Sequence, residues 1–339
     1  MYEKQNTKIN YGIQILRIIM SFIVLYHHCF NINKTNHKIL KFLFYSCPFC
    51  VPTFFIISYY FSYYIIISKN INKIKSRLER LVMPYFFYPI LFYVINWFLN
   101  IFDITKKDKF FDLLIQIICG KGIYIVFWFQ CNLIFTYILF SIIFFSCRNL
   151  IFIFIIGLLG YLYYNLHFAY KFFSNFRYEL KSTFSDFSKT LFYGAFGIFF
   201  DYFEIIKRIR FFYFKHLLII IVFILFLVIN FYSFLDIYFF YLRLFIHVIV
   251  AISLFTIFFS IPLEKINNKT MKNIIILFSR HSGGIYYLHL EIKKILSNKI
   301  IIIKEETLLS CSLIYIICFL LSVLGYNLTK NIKLKYLFI

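Results

Sequence analysis

Apolar runs long enough to cross a bilayer recur along this chain, and they constrain its fold more than any other feature. The first run, Tyr11–Phe30, reads YGIQILRIIMSFIVLYHHCF and matches the roughly 20 residues that a helix needs to cross the hydrocarbon core. Nine more runs follow, separated by charged or Asn- and Pro-containing connections. Lipid offers no hydrogen bonds to the backbone, so spans of this length are helical.

We therefore predict an all-α, polytopic integral membrane helix bundle of about ten transmembrane helices. No linker rich in Gly, Ser and Pro divides it, so a single domain over residues 1–339 is expected. The predicted spans are 11–30, 48–68, 82–101, 123–146, 150–167, 188–203, 212–232, 237–260, 273–296 and 309–329.

Composition and charge indicate the same class of protein. Hydrophobic residues make up 62% of the 339 residues, against about 45–50% in a soluble domain. The formal net charge is +22, but the basic residues sit mostly between spans, where they set topology and meet anionic headgroups. We expect a lipid bilayer as partner and no nucleic acid. The densest basic block, 69–80, indicates cytoplasmic N- and C-termini in a plasma or inner membrane.

The first span carries ionisable side chains at positions where the bilayer makes them costly, which marks a functional site. Eleven helical steps of 100° bring Arg17 and His28 to within about 20° of one face, about 16 Å apart along the axis. His27 lies about 80° from Arg17. His28 is thus the preferred catalytic histidine and His27 the alternative. In a second interpretation, these side chains only snorkel to the two interfaces.

Other spans place polar side chains in apolar surroundings. Ser58 follows Pro52 in span two. Arg77 and Arg80 are i, i+3 neighbours in a basic amphipathic turn, where they suit a phosphate group or a lipid headgroup. Trp128 opens span four, as a substrate contact or as an interfacial aromatic residue.

Span nine carries a polar stripe, in which Ser282, Tyr286 and His289 fall at i, i+4 and i+7. Span eight adds Arg243 and His247 at i, i+4. Three such stripes in one bundle predict a shared polar cavity. The CxxC at Cys47 is read as buried thiols, and no metal site is predicted.

Taken together, these motifs resemble the family-three membrane acyltransferases, the ten-helix O-acyltransferases of cell-surface sugars. The chain departs from that pattern at Tyr59, where the family has glycine. The matching positions are Arg17 and His28 in span one, Pro52, Phe54, Phe55 and Ser58 in span two, Arg77, Arg80 and Pro84 before span three, Trp128 and Phe129 in span four, and Ser282, Gly284, Ile285, Tyr286, Leu288 and His289 in span nine.

The resemblance implies transfer of an acyl group, usually acetyl from acetyl-CoA, to a hydroxyl of a polysaccharide or lipid-linked glycan. Acyl-CoA is then a donor substrate, and no permanently bound cofactor is expected. His28 or His27 would be the general base, and Arg17 or Tyr286 would stabilise the oxyanion. The 16 Å estimate favours Arg17 near the CoA arm or acyl channel instead.

The remaining motif residues follow from the same resemblance. Arg77 and Arg80 would bind the CoA phosphates. The substrate-binding candidates are Trp128, Ser282, Tyr286, His289 and Ser58. An exporter of polysaccharide or lipid-linked sugar is the alternative function, because a bundle with intramembrane Arg and His also fits transport.

Overall fold

A computed structural model of the chain confirms the predicted all-α class. It describes residues 10–31, 40, 44, 47–101, 113–114, 117, 127–170, 178–202, 217, 220–221, 224, 240–260, 268–297 and 307–331. Of this part, 94% is helical and none is strand.

Nine of the ten predicted spans coincide with helices of the described part. The remaining one, the seventh span at 212–232, lies largely outside the described residues. The helices are α1 (Tyr11–Cys29), α2 (Cys50–Ile67, preceded by a 3-10 turn at Cys47–Phe49), α3 (Ile71–Ile101), α4 (Phe127–Cys147), α5 (Ile151–Tyr170), α6 (Tyr178–Tyr202), α7 (Phe240–Ser260), α8 (Lys269–Ser297) and α9 (Leu308–Thr329).

Five segments among the described residues are long and apolar enough to cross a membrane. They lie in α1, α2, α3, α4 and α9, while α5 and α7 contribute shorter apolar segments. On α3, Phe86, Ile90, Val94 and Trp97 are exposed at helical spacing, as expected of a lipid-facing stripe.

The third span begins earlier in the structure than the sequence predicted. The basic stretch before Leu81 is not a turn but the first turns of α3, which starts at Ile71. Asn70 caps this start, because its side-chain oxygen accepts from the backbone N–H of Lys73 at 3.1 Å. Lys69 at φ 51° makes the preceding turn. The early start places Arg77 and Arg80 within the helix.

Helix α1 is in contact with α2, α7, α8 and α9. Three hydrogen bonds join α1 to α8 at a constant offset of 265 residues, which is possible only if the two helices run parallel. This direction agrees with their prediction as spans one and nine, because two odd-numbered spans cross the bilayer in the same direction. The paired residues are Gln14 with Ser279, Arg17 with Ser282, and His28 with Lys293.

Tyr59, which stands where the resemblance calls for glycine, is accommodated by glycines on another helix. Its ring is fully buried and its hydroxyl donates to the Leu133 carbonyl at 3.0 Å. A Cβ on Gly197 of α6 would lie 2.8 Å from the Tyr59 Cβ, and one on Gly194 would lie 3.0 Å from its ring. The small residues that allow close approach of α2 and α6 are therefore on α6.

Candidate active site

Five helices, α1, α2, α3, α4 and α8, enclose a cavity of about 500 Å³. Four arginines line it, Arg17, Arg77, Arg80 and Arg280, and no aspartate or glutamate is among its described lining residues. We call it the four-arginine cavity. Guanidinium groups that face one cavity without an acidic side chain among its described lining residues produce a positive potential that attracts an anion. Further polar lining comes from Gln14, Ser58, Gln130, Ser282, Tyr286 and Tyr287.

Arg77 is held by a serine and still has a donor to offer. Its Nη2 donates to the Ser58 Oγ at 2.6 Å. Its Nε is buried and has no hydrogen-bond partner within the described ranges of the chain. A buried donor without a partner is costly, and a guanidinium fork suits phosphate. The pair of residues thus fits an anionic group in the cavity.

The other arginines lie at different depths. Arg17 is held on α1, where its Nη2 donates to the Ser282 Oγ at a long 3.4 Å, and Ser282 donates to the Ser279 carbonyl. Arg80 and Arg280 are exposed, and the Arg280 guanidinium lies 5.6 Å from the Tyr326 ring centroid. Arg17 and Arg77 thus form the interior of the cavity, while Arg80 and Arg280 lie at its mouth.

Aromatic rings form a further wall of the cavity. The ring centroid of Phe129 lies 6.2 Å from that of Phe54 and 5.7 Å from that of Tyr286. Gln130, next to Phe129, donates its Nε2 to the Leu81 carbonyl at 2.7 Å. Pro84 has no backbone N–H to donate to the carbonyl of Arg80, and Leu81 is the next residue along the chain. The Gln130 bond therefore ties α4 to the interrupted turn of α3.

A histidine cluster lies further along α1 and α8. The ring centroids of His27 and His28 are 5.4 Å apart, and those of His28 and His289 are also 5.4 Å apart. Lys293 donates its Nζ to the His28 carbonyl at 3.0 Å. Since His289 is fully buried, the His28 ring faces the protein interior rather than the acyl chains of the bilayer.

His289 carries its proton in a defined position. Its Nδ1 lies 2.7 Å from the Tyr286 carbonyl and 3.3 Å from that of Ile285. Carbonyl oxygens only accept, so these contacts assign the proton to Nδ1 and leave a lone pair on Nε2. The Nε2 is buried and has no hydrogen-bond partner in the described part of the molecule. This tautomer is the one a general base requires.

The structure separates the predicted site residues into two groups. Six of them line the four-arginine cavity: Arg17, Ser58, Arg77, Arg80, Ser282 and Tyr286. The three histidines are not among its described lining residues and form the second group. Tyr286 lies between the groups, because it lines the cavity and its ring lies 6.1 Å from that of His289.

Two predicted polar positions lie in neither group. Trp128 is outside the described cavity lining, although its neighbour Phe129 belongs to it. His247 packs edge-on against Phe49 at 5.2 Å. The side chain of Arg243 lies outside the described residues.

Sequence reasoning missed Arg280 and Lys293 as site residues. Arg280 lies two residues before Ser282 in the same helix. It is far from Arg77 along the chain, so no local pattern indicated that both arginines line one cavity. Lys293 is four residues after His289, so helical spacing was the available signal.

The comparisons with known proteins bear on the whole described bundle. A family model described as an acyltransferase domain matches residues 10–328. This match confirms the resemblance that the motifs indicated. No curated protein and no solved structure matches the chain.

Proposed function

Because this chain belongs to the acyltransferase domain family, we propose that it is an integral membrane O-acyltransferase with acyl-CoA as donor. The acyl group is acetyl, and the acceptor is a sugar hydroxyl of a cell-surface polysaccharide or lipid-linked glycan. The observation that carries the proposal is the four-arginine cavity. It adjoins the histidine cluster along α1 and α8, which contribute residues to both.

The four-arginine cavity suits the phosphate-bearing end of CoA. Arg77 offers its Nε, which has no partner among the described residues, beside Ser58. Arg17 extends the positive surface inward. Arg80 and Arg280 at the mouth meet the more exposed phosphate. Charge-assisted hydrogen bonds of this kind are stronger than neutral ones. The absence of acidic side chains among the described lining residues favours a ligand with several negative charges, as CoA has.

The histidine cluster supplies the base for transfer. His28 or His289 takes the proton of the sugar hydroxyl as its oxygen attacks the thioester carbonyl. The Tyr286 hydroxyl donates to the oxyanion that develops on that carbonyl. Collapse of the tetrahedral intermediate breaks the carbon–sulfur bond and releases CoA thiolate, which regains a proton. Arg17, about 16 Å from His28, binds the donor and takes no part in this step.

The arrangement of the two groups fits transfer towards the outer face. With the N-terminus in the cytoplasm, as the basic block at 69–80 predicts, the four-arginine cavity opens on the side where acyl-CoA is made. The histidine cluster then lies in the outer half of the bilayer, where a surface glycan is met.

The proposal is tested with purified protein in lipid nanodiscs. Labelled acetyl-CoA is supplied with membrane-derived glycan, and acetyl transfer is measured for the wild type, His27→Ala, His28→Ala and His289→Ala. We expect transfer by the wild type and its loss in at least one variant that still binds CoA. Full activity in all three variants would remove the histidine base. Glycan transport without acyl transfer, unaffected by His28→Ala, would establish an exporter instead.

A further inference from the structure

A second polar cluster lies among α4, α5 and α6, away from the described lining of the four-arginine cavity. The Lys189 ammonium pairs with Asp186 at 2.5 Å. It also lies 5.3 Å from the ring centroid of Tyr164 and 5.7 Å from that of Trp128. An ion pair flanked by two aromatic rings is unusual in an apolar bundle, where charged side chains mark function.

Helix α4 contributes a buried amide to this cluster. Thr136 and Thr190 are hydrogen-bonded at 3.2 Å, which fixes the register of α4 on α6. Phe135 also packs on Phe187, so the two contacts ascend together along both helices and α4 and α6 run parallel. One turn before the threonine pair, Asn132 of α4 and Asp186 of α6 therefore lie at the same level. Asn132 shares the α6-facing side with Trp128, four residues before it.

Helix α5, which runs antiparallel to α6, contributes a second amide. Tyr161 stacks on Phe192 of α6 at 4.8 Å, and Tyr164 faces Lys189. Asn165 is one turn beyond Tyr161 on that face, so it reaches the level of Lys189. Both asparagines therefore approach the ion pair from neighbouring helices.

Within the described residues, both asparagines have buried side-chain atoms without the partners that a purely structural role would supply. Asn132 is 1% exposed, and neither its Nδ2 nor its Oδ1 has a hydrogen-bond partner in the part of the chain that the structure describes. Asn165 is 7% exposed, and its Oδ1 is likewise without a partner there. Such atoms are costly in an apolar interior, which indicates that a ligand satisfies them.

We infer that this cluster, Trp128, Asn132, Tyr164, Asn165, Asp186 and Lys189, binds a neutral sugar ring. The amides supply hydrogen-bond donors and acceptors that match hydroxyl groups. In the ion pair, the Lys189 ammonium adds a donor group and the Asp186 carboxylate adds an acceptor group. The cluster has no net charge, so it does not select an anion as the four-arginine cavity does. The aromatic ring of Trp128, at the edge of the cluster, packs on the apolar face of the sugar.

The inference rests on the proposed function in taking a glycan as acceptor, and α4 connects the two sites. Trp128 belongs to the sugar-binding cluster, and the next residue, Phe129, lines the four-arginine cavity. The first turn of α4 thus has the sugar on one side and the donor on the other.

Fluorescence of Trp128 tests the inference directly. The chain has two tryptophans, so Trp97→Phe, at a lipid-exposed position of α3, leaves Trp128 as the sole reporter. This variant, in phosphatidylcholine nanodiscs free of sugar detergents, is titrated separately with glucose, galactose, mannose, rhamnose and N-acetylglucosamine. We expect a saturable change in emission with at least one of them.

Asparagine-to-leucine changes separate binding from folding. Asn132→Leu is expected to weaken sugar binding at least about tenfold, because it removes buried hydrogen bonds to the ligand. Its thermal midpoint is expected to stay level or rise, because an unpartnered amide is replaced by an apolar group of similar size. Asn273→Leu, the same change at an exposed position of α8, is the control and leaves binding unchanged.

Two results would overturn the inference: no emission change with any of the five sugars, or equal sugar affinity in Asn132→Leu. The titration contains no acyl-CoA, so its failure alongside intact acyl transfer refutes only the sugar-binding cluster. Saturable, Asn132-dependent sugar binding in a protein without acyl transfer supports the cluster and refutes the proposed function.

Discussion

Removing the Arg77 guanidinium tests whether the four-arginine cavity binds the CoA phosphates. Arg77 is oriented by its 2.6 Å bond to Ser58 and keeps a buried Nε without a partner in the described structure. In Arg77→Ala, one or more charge-assisted hydrogen bonds to phosphate are lost. Each such bond contributes about 1.5–3 kcal/mol, so the Kd for CoA should rise about 10- to 150-fold.

Two further variants separate hydrogen-bond geometry from charge. Arg77→Lys keeps the positive charge but loses the planar fork and the Nε donor, so we expect a Kd between those of the wild type and Arg77→Ala. Lys75→Ala is the matched control. It removes one positive charge from an exposed position of the same helix, two residues from Arg77, and outside the described cavity lining.

The assay is calorimetric titration of CoA into protein in nanodiscs, with thermal unfolding measured in parallel. The expected order of Kd is wild type and Lys75→Ala lowest, then Arg77→Lys, then Arg77→Ala. If Arg77→Ala binds CoA within twofold of wild type, Arg77 does not contact the donor and the reasoning fails. If Lys75→Ala weakens binding as much as Arg77→Ala, the effect is that of net charge and not of the cavity.

Three other predictions concern packing and catalysis. Gly197→Ala should lower the thermal midpoint, because its Cβ would lie 2.8 Å from the Tyr59 Cβ and overpacking costs about 1–3 kcal/mol; an unchanged midpoint would contradict this packing. Removal of the base, whether it is His28 or His289, should reduce the rate of acetyl transfer about 10²- to 10⁴-fold with CoA affinity retained, and a normal rate in both His28→Ala and His289→Ala would exclude both as the base. Gln130→Leu should also lower the thermal midpoint, because it removes the hydrogen bond to the Leu81 carbonyl; an unchanged midpoint would show that this bond does not stabilise the bundle.

The spans were predictable because each depends on residues close together in the chain. A run such as Leu308–Thr329 identifies itself by length and hydropathy alone. The separation of Arg17 from His28 was also predictable, since helix geometry fixes it within one element. The structure agrees: Arg17 lines the four-arginine cavity, while His28 lies with the histidine cluster.

The start of α3 was not predictable to the same degree. The basic residues before Leu81 have too little hydropathy to be counted in a span, and only the cap at Asn70 marks where the helix begins. Consequently the sequence placed Arg77 and Arg80 in a turn, whereas the structure places them on the helix that forms the wall of the cavity.

By itself, the sequence determined an all-α membrane bundle and the family to which it belongs, because hydropathy and short motifs are local properties. Only the tertiary structure brought Arg280 together with Arg77, and it alone placed Lys189 against Trp128. These meetings depend on the register between helices, which is fixed by contacts such as Gly197 against Tyr59 and Gln14 with Ser279. Residues that set register lie far apart in the chain, so no local pattern records which of them will meet.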